Sequence, residues 1–95
     1  MNHLYLQLGR AIASQCPQGF REARLEATPD DDRLEITCTL ADGGQAAPAL
    51  DADARAAIEA AVAEVRTAMA EADGKSWRSC TVTLAAGGGF AMDVL

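Results

Sequence analysis

The segment from Arg33 to Ala41 carries the pattern that most limits the possible folds, because its apolar and polar residues alternate strictly. The apolar set is Leu34, Ile36, Cys38 and Leu40, and the polar set is Glu35, Thr37 and Thr39. A period of two is typical of a strand in a sheet that has one face in water. The other face must be covered by a second layer, which the rest of the chain has to supply.

Two segments have helical periodicity and can form that layer. The first covers residues 2–16 and ends before Pro17 and Gly19. Asp51 or Asp53 caps the second, which runs to about Asp73 before Gly74. The apolar stripe of the first helix is Leu4, Tyr5, Leu8, Ala11 and Ile12, and that of the second is Ile58, Val62, Val65 and Met69. Each stripe predicts an amphipathic helix that packs on a flat apolar surface.

The remaining strands follow from turn residues and alternation. The predicted segments are a strand at Phe20–Thr28, a turn at Pro29–Asp32, a short edge strand at Gln45–Ala49 limited by Pro48, and a hairpin of Lys75–Leu84 with Phe90–Leu95. The order is α-β-β-(β)-α-β-β. We therefore expect one α+β domain over residues 1–95, a two-layer sandwich with an antiparallel sheet and both helices on one face.

Charge limits the class of partner. The chain has 14 acidic and 8 basic residues, for a formal charge of -6, and this excess repels nucleic acid and anionic membrane surfaces. We therefore expect a basic protein as partner, with no nucleic acid and no membrane. The first residues lack a cationic stretch followed by an apolar run, so we expect a cytoplasmic protein.

The residues needed for catalysis are sparse, which predicts a protein that is not an enzyme. The chain has one histidine, His3, so a catalytic nucleophile would have no other histidine that could act as its general base. Asp30, Asp31 and Asp32 lie in a predicted turn, where a solvated role is favoured over acid-base chemistry or calcium binding. The three cysteines, Cys16, Cys38 and Cys80, are widely spaced and contain no Cys-x-x-Cys pair, so we expect reduced, buried thiols, no metal and no cofactor.

Two predicted surfaces are candidates for binding a partner. The uncovered sheet face should carry Glu22, Arg24, Glu26, Glu35, Thr37, Thr39, Trp77, Ser79, Thr81 and Asp93. Trp77 would be its aromatic anchor, although a strand that starts one residue later, or a bulge, would turn this side chain into the core. One flank of the second helix presents Asp53, Glu64 and Glu71. Solubility alone is the competing explanation of that acidic flank.

With these elements placed, the chain resembles the YezG-like family of bacterial immunity proteins. The features that carry the resemblance are the Leu4-Tyr5 helix with Leu8 and Ile12, Pro17-x-x-Phe20, an acidic turn before an alternating strand, a long helix with Val65-Arg66, Gly74-x-x-Trp77 before Thr81-Val82-Thr83-Leu84, and Gly89-Phe90 with Asp93. The resemblance implies a cytoplasmic antitoxin that binds and neutralises the toxic domain of a cognate secreted effector, often a nuclease.

Two other functions remain as alternatives. A secretion chaperone has a similar element order, but such chaperones expose apolar grooves and usually dimerise, and the polar character of the predicted open sheet face counts against this function. We expect a monomer or a weak dimer. A small enzyme is disfavoured by the lack of a catalytic set. The candidate partner-binding residues are Trp77, Glu35, Glu26, Glu22, Asp93, Asp53, Glu64 and Glu71.

Overall fold

Five strands form one antiparallel sheet in the order β3-β2-β1-β4-β5. The computed structural model describes residues 2–74 and 77–95. Its elements are α1 (Asn2–Ala13), β1 (Phe20–Thr28), a 3-10 turn (Pro29–Asp31), β2 (Arg33–Leu40), β3 (Gln45–Ala46), α2 (Ala52–Asp73), β4 (Cys80–Ala85) and β5 (Phe90–Val94). The predicted α+β class and element order are confirmed.

The ends of both helices follow from local chemistry. Helix α1 stops three residues before the predicted Cys16, because the backbone N–H groups of Gln15 and Cys16 donate to carbonyls three residues back, Ile12 and Ala13, which tightens the last turn. Of the two candidate caps for α2, Asp51 is the one used, since its carboxylate accepts the Ala54 N–H at 2.7 Å.

The core lies between the helices and one face of the sheet. The buried residues include Leu8 and Ile12 from α1, Ile58, Ala61, Val62 and Val65 from α2, and Ala23, Leu25, Ala27, Leu34, Ile36, Cys38, Cys80 and Val82 from the strands. Leu25 is at the centre, because it pairs with Ile36 on one side and Val82 on the other. Both helices thus cover the same sheet face, as expected from their apolar stripes.

Two strands, β3 and β4, differ from the prediction. β3 is only two residues long, because Pro48 cannot donate a ladder hydrogen bond and the chain leaves the sheet after Ala46. β4 begins at Cys80 rather than at Lys75, and the predicted strand residues Lys75 and Ser76 lie outside the described part of the chain. Trp77 therefore precedes the ladder, and the alternation of β4 does not determine where its side chain lies.

Neither α1 nor α2, as described, combines the length and the apolar character that crossing a bilayer requires.

Candidate functional site

The face of the sheet that the helices leave uncovered is a polar surface. Strand pairing places its side chains in rows that run across the strands. One row is Glu35, Glu26, Thr81 and Asp93, and the next is Thr37, Arg24, Thr83 and Ala91. A third row starts with Thr39 and Glu22. We call this surface the open face; its four carboxylates, from Glu22, Glu26, Glu35 and Asp93, are all exposed.

The first row places two like charges directly opposite each other. Glu26 of β1 pairs with Glu35 of β2 in the antiparallel register. Like charges in such a pair destabilise a sheet by up to about 1 kcal/mol. The row ends at Asp93, three strands from Glu35, so it spans roughly 15 Å at the usual strand spacing. Folding gains nothing from this arrangement, and a cationic partner would relieve the repulsion.

Positive charge on the open face is limited. Arg24 lies in the next row and its Nε is 3.4 Å from Glu26 Oε1, with both side chains 59% exposed. An ion pair in water at this exposure is worth little, so it only partly offsets the repulsion. Arg33 lies at the far end of the same face, opposite Thr28. Around the centre of the open face, acid therefore exceeds base.

The arginines of α2 are held by the aspartate turn between β1 and β2. Arg66 reaches both carboxylate oxygens of Asp30, at 3.3 and 3.4 Å. Arg55 donates to the Asp32 carbonyl at 2.8 Å and to Glu59 Oε1 at 2.8 Å. This aspartate turn is exposed, as the sequence predicts, and its hydrogen bonds to Arg55 and Arg66 also connect α2 to the end of the β1–β2 hairpin. These two guanidinium groups are consequently engaged on one side of the helix.

The acidic flank of α2 is a separate surface. Asp53, Glu64 and Glu71 are exposed, and among the described residues none of the three lies within 4.0 Å of a basic group. Glu64 and Glu71 border a shallow depression beside Leu4 of α1. Asp53 is about 16 Å further along the helix axis from Glu64, at 1.5 Å per residue.

The structure thus separates the predicted binding residues into two groups. Glu22, Glu26, Glu35 and Asp93 lie on the open face, whereas Asp53, Glu64 and Glu71 lie on the helical layer, across the sheet. One flat partner surface cannot contact both groups at once. They are two candidate sites, not one.

No protein-family model matches the chain, and no curated protein matches it.

Trp77 is not an exposed anchor, so its placement on the open face is wrong. Its side chain is 4% exposed and belongs to the core cluster, and the Arg66 guanidinium carbon lies 5.4 Å from the ring centroid. Among residues 2–74 and 77–95, the indole Nε1 finds no hydrogen-bond partner. The physical reason is that a large apolar ring gains more from burial under α2 than from exposure on a polar sheet. The alternative placement of Trp77 in the core is the one that the structure supports, although the cause is neither a one-residue shift nor a bulge: Trp77 precedes β4, which begins at Cys80.

An apolar groove, which the sequence analysis does not anticipate, runs between α1 and the β4–β5 hairpin. Its volume is about 660 Å³, and its lining includes Tyr5, Leu6, Phe20 and Phe90, with Arg10 at the rim. The Tyr5 and Phe90 rings lie 5.4 Å apart between centroids. Leu6 is 60% exposed. The feature of the sequence that could have indicated this groove is Leu6, an apolar residue that lies off the core stripe of α1.

Within residues 2–74 and 77–95, no three His, Cys, Asp or Glu side chains converge in a way that could hold a metal ion. The carboxylates of the open face are spread in rows, and two of them, Glu22 and Glu26, line a small depression of about 260 Å³ together with Arg24. What this arrangement offers chemically is an extended field of negative charge.

Proposed function

We propose that this protein is a cytoplasmic immunity protein, which binds and neutralises the toxic domain of a cognate secreted effector. The proposal rests on the resemblance given by the sequence and on the open face. A nuclease is the expected class of toxin, because nuclease domains bind phosphate groups through basic surfaces. An acidic surface can occupy such a site and exclude the polyanionic substrate.

The observation that carries the proposal is the pairing of Glu26 with Glu35 at the centre of the open face. This pair opposes folding, so its presence is best explained by a benefit in binding. A basic partner would turn the repulsion between the two carboxylates into attraction, and it would associate quickly through electrostatic steering. The strand ladder fixes the backbone positions from which these carboxylates project, so the charge pattern of the open face is set by the register.

The first experiment mixes the purified chain with the folded product of the neighbouring gene. We expect a complex, and we expect co-expression to relieve the toxicity of that product in a host cell. Binding that weakens steeply as salt is raised would agree with a contact between opposite charges. The absence of both a complex and relief of toxicity would reject the proposal.

A second candidate function is favoured by the apolar groove between α1 and the β4–β5 hairpin. A chaperone for a secreted effector would hold an extended apolar segment, and this groove has a suitable lining. The two functions differ in the state of the bound protein. A chaperone binds an unfolded segment of the effector, whereas an immunity protein binds the folded toxic domain. A Leu6→Asp variant would abolish binding to the segment in the first case and leave binding to the toxin intact in the second.

A further inference from the structure

Two cysteines that are far apart in sequence lie together where α1 ends over the sheet. Cys16 follows α1 and Cys38 is in β2, and their sulfur atoms are 3.1 Å apart. Cys38 is fully buried and Cys16 is partly exposed. The third cysteine, Cys80, is buried in β4 and belongs to no such pair. The expectation of three reduced, buried thiols is wrong for Cys16 in one respect, since this residue is only partly buried.

The separation of the two sulfur atoms is small enough for a covalent bond to form with little movement. A disulfide bond is about 2.0 Å long, so the sulfur atoms need to approach by roughly 1 Å. Cys16 lies in the irregular turn after α1, where the backbone can adjust more easily than within the β2 ladder. Its thiol donates to the Ile12 carbonyl at 3.3 Å, and this hydrogen bond would be given up.

We propose that Cys16 and Cys38 are a modification site, at which an internal disulfide forms reversibly by exchange with a low-molecular-weight disulfide such as oxidised glutathione. The Cys16 thiolate attacks one sulfur of the small disulfide, and the other half leaves as a thiolate. Cys38 then loses its proton and attacks the Cys16 sulfur of the mixed disulfide, which releases the second half. Two electrons and two protons pass in total from the cysteines to the small disulfide, which becomes two thiols.

Exposure determines the order of these two steps. An external disulfide can reach Cys16 from solvent, whereas Cys38 has no exposed surface. Cys16 is therefore the attacking residue and Cys38 the resolving one. A mixed disulfide on Cys16 places its sulfur next to the Cys38 thiol, so the second step is intramolecular and should follow rapidly.

The rate of the first step depends on the thiolate. Burial first, and then the neighbouring Cys38, raise the pKa of Cys16 to about 12. Because the thiolate is the nucleophile, we expect slow oxidation near neutral pH and a rise of about tenfold per pH unit below that pKa. Such a site would respond to sustained oxidising conditions and not to a brief pulse of oxidant.

The cross-link would join the end of α1 to β2, two segments that are 22 positions apart. Closing a loop of this length restricts the unfolded chain, so the oxidised protein should melt roughly 10 °C higher than the reduced protein. The bond would also fix α1 over the sheet. This inference does not depend on the proposed function, and the isolated chain is sufficient to test it.

The test incubates the folded, reduced protein with oxidised glutathione at about pH 8, followed by mass spectrometry of the intact chain and of its proteolytic peptides. We expect a loss of two hydrogen atoms per chain and a peptide that links Cys16 to Cys38. The Cys80→Ala variant should form the same link. The Cys16→Ala variant, at a partly exposed position, should not form it, and circular dichroism verifies that the variant is folded.

Three results would overturn the proposal. The first is stable glutathione adducts with no internal link, the second is a link that involves Cys80, and the third is a link whose yield is no higher in the folded protein than in urea. Comparing the yield of the link in the folded protein with its yield in urea separates proximity in the native structure from chance encounter in the unfolded chain.

Discussion

The two faces of the same sheet differ in polarity, in burial and in what their residues contribute to folding. On the face toward the helices, Leu25 and its neighbours Ile36 and Val82 are buried and apolar. On the open face, one residue further along the strand, Glu26 meets Glu35 in a pairing that opposes folding. Alternate residues of a strand thus serve different ends. The inner set determines stability, and the outer set is free to be selected for binding.

The largest expected difference between the faces is in stability. Leu25→Ala would leave a cavity at the centre of the core and should lower the free energy of unfolding by about 3 kcal/mol. Glu26→Ala, at the adjacent exposed position, should change it by less than about 0.5 kcal/mol. Urea unfolding of both variants measures the contrast. Equal losses would mean that the open face also contributes to the core.

Trp77 gives a related prediction, because the structure assigns it to the core. Trp77→Ala should cost about 3 kcal/mol of unfolding free energy through lost burial. Arg66→Ala removes two interactions, the contact of the guanidinium with the Trp77 ring and the ion pair with Asp30. Because the Arg66 and Asp30 side chains are partly exposed, the loss of unfolding free energy should be about 1 kcal/mol or less. Thermal unfolding checks both variants. If the Trp77→Ala variant were as stable as the unchanged protein, the assignment of the Trp77 ring to the core would be wrong.

Most of the fold could be predicted from the sequence, because local patterns encode it. The bounds of β1 match the prediction fully, and Asp51 and Gly74 mark the ends of α2 as capping chemistry requires. The prediction is weakest at Trp77, where the direction of the side chain depends on the residue at which β4 begins. The start of an edge-adjacent strand is set by tertiary packing, which periodicity does not record.

The candidate site was predictable only in part. Alternation placed Glu22, Glu26, Glu35 and Asp93 on one face, but the pairing of Glu26 with Glu35 depends on strand register. The apolar groove and the Cys16–Cys38 contact depend on how α1 crosses the sheet. Such contacts join residues that are distant in sequence, and no local pattern specifies them.

Binding should distinguish the open face from the helical flank. Glu26→Lys combined with Glu35→Lys should slow association with the folded toxin that we propose as the partner by about tenfold or more at low salt. The matched control is Glu64→Lys with Glu71→Lys. Each Glu→Lys change adds two units of charge, so both double variants move the formal charge from -6 to about -2.

Because the overall charge is matched, the position of the change decides the outcome of that comparison. Stopped-flow association rates at several salt concentrations provide the measurement. If the Glu64 and Glu71 variant were the slower one, the binding surface would be the flank of α2 instead.

The smallest expected effect concerns the like-charge pair itself. Glu35→Gln keeps the shape of the side chain and removes one charge opposite Glu26, so it should stabilise the protein by about 0.5 kcal/mol. The gain should shrink in about 1 M salt, where exposed charges are screened. Glu64→Gln, which changes no charged cross-strand pair, is the control. A Glu35→Gln variant that is no more stable would show that the two carboxylates do not strain the sheet.

Threonine methyl groups offer the most direct test of the claim that the open face contacts the partner. Thr37, Thr81 and Thr83 lie in the rows of that face, whereas Thr67 is exposed on α2. In a chain with labelled threonine methyl groups, we expect NMR signals of the first three to shift or broaden when the folded toxin is added, while that of Thr67 stays in place. A shift of Thr67 alone, with the other three unchanged, would contradict the account.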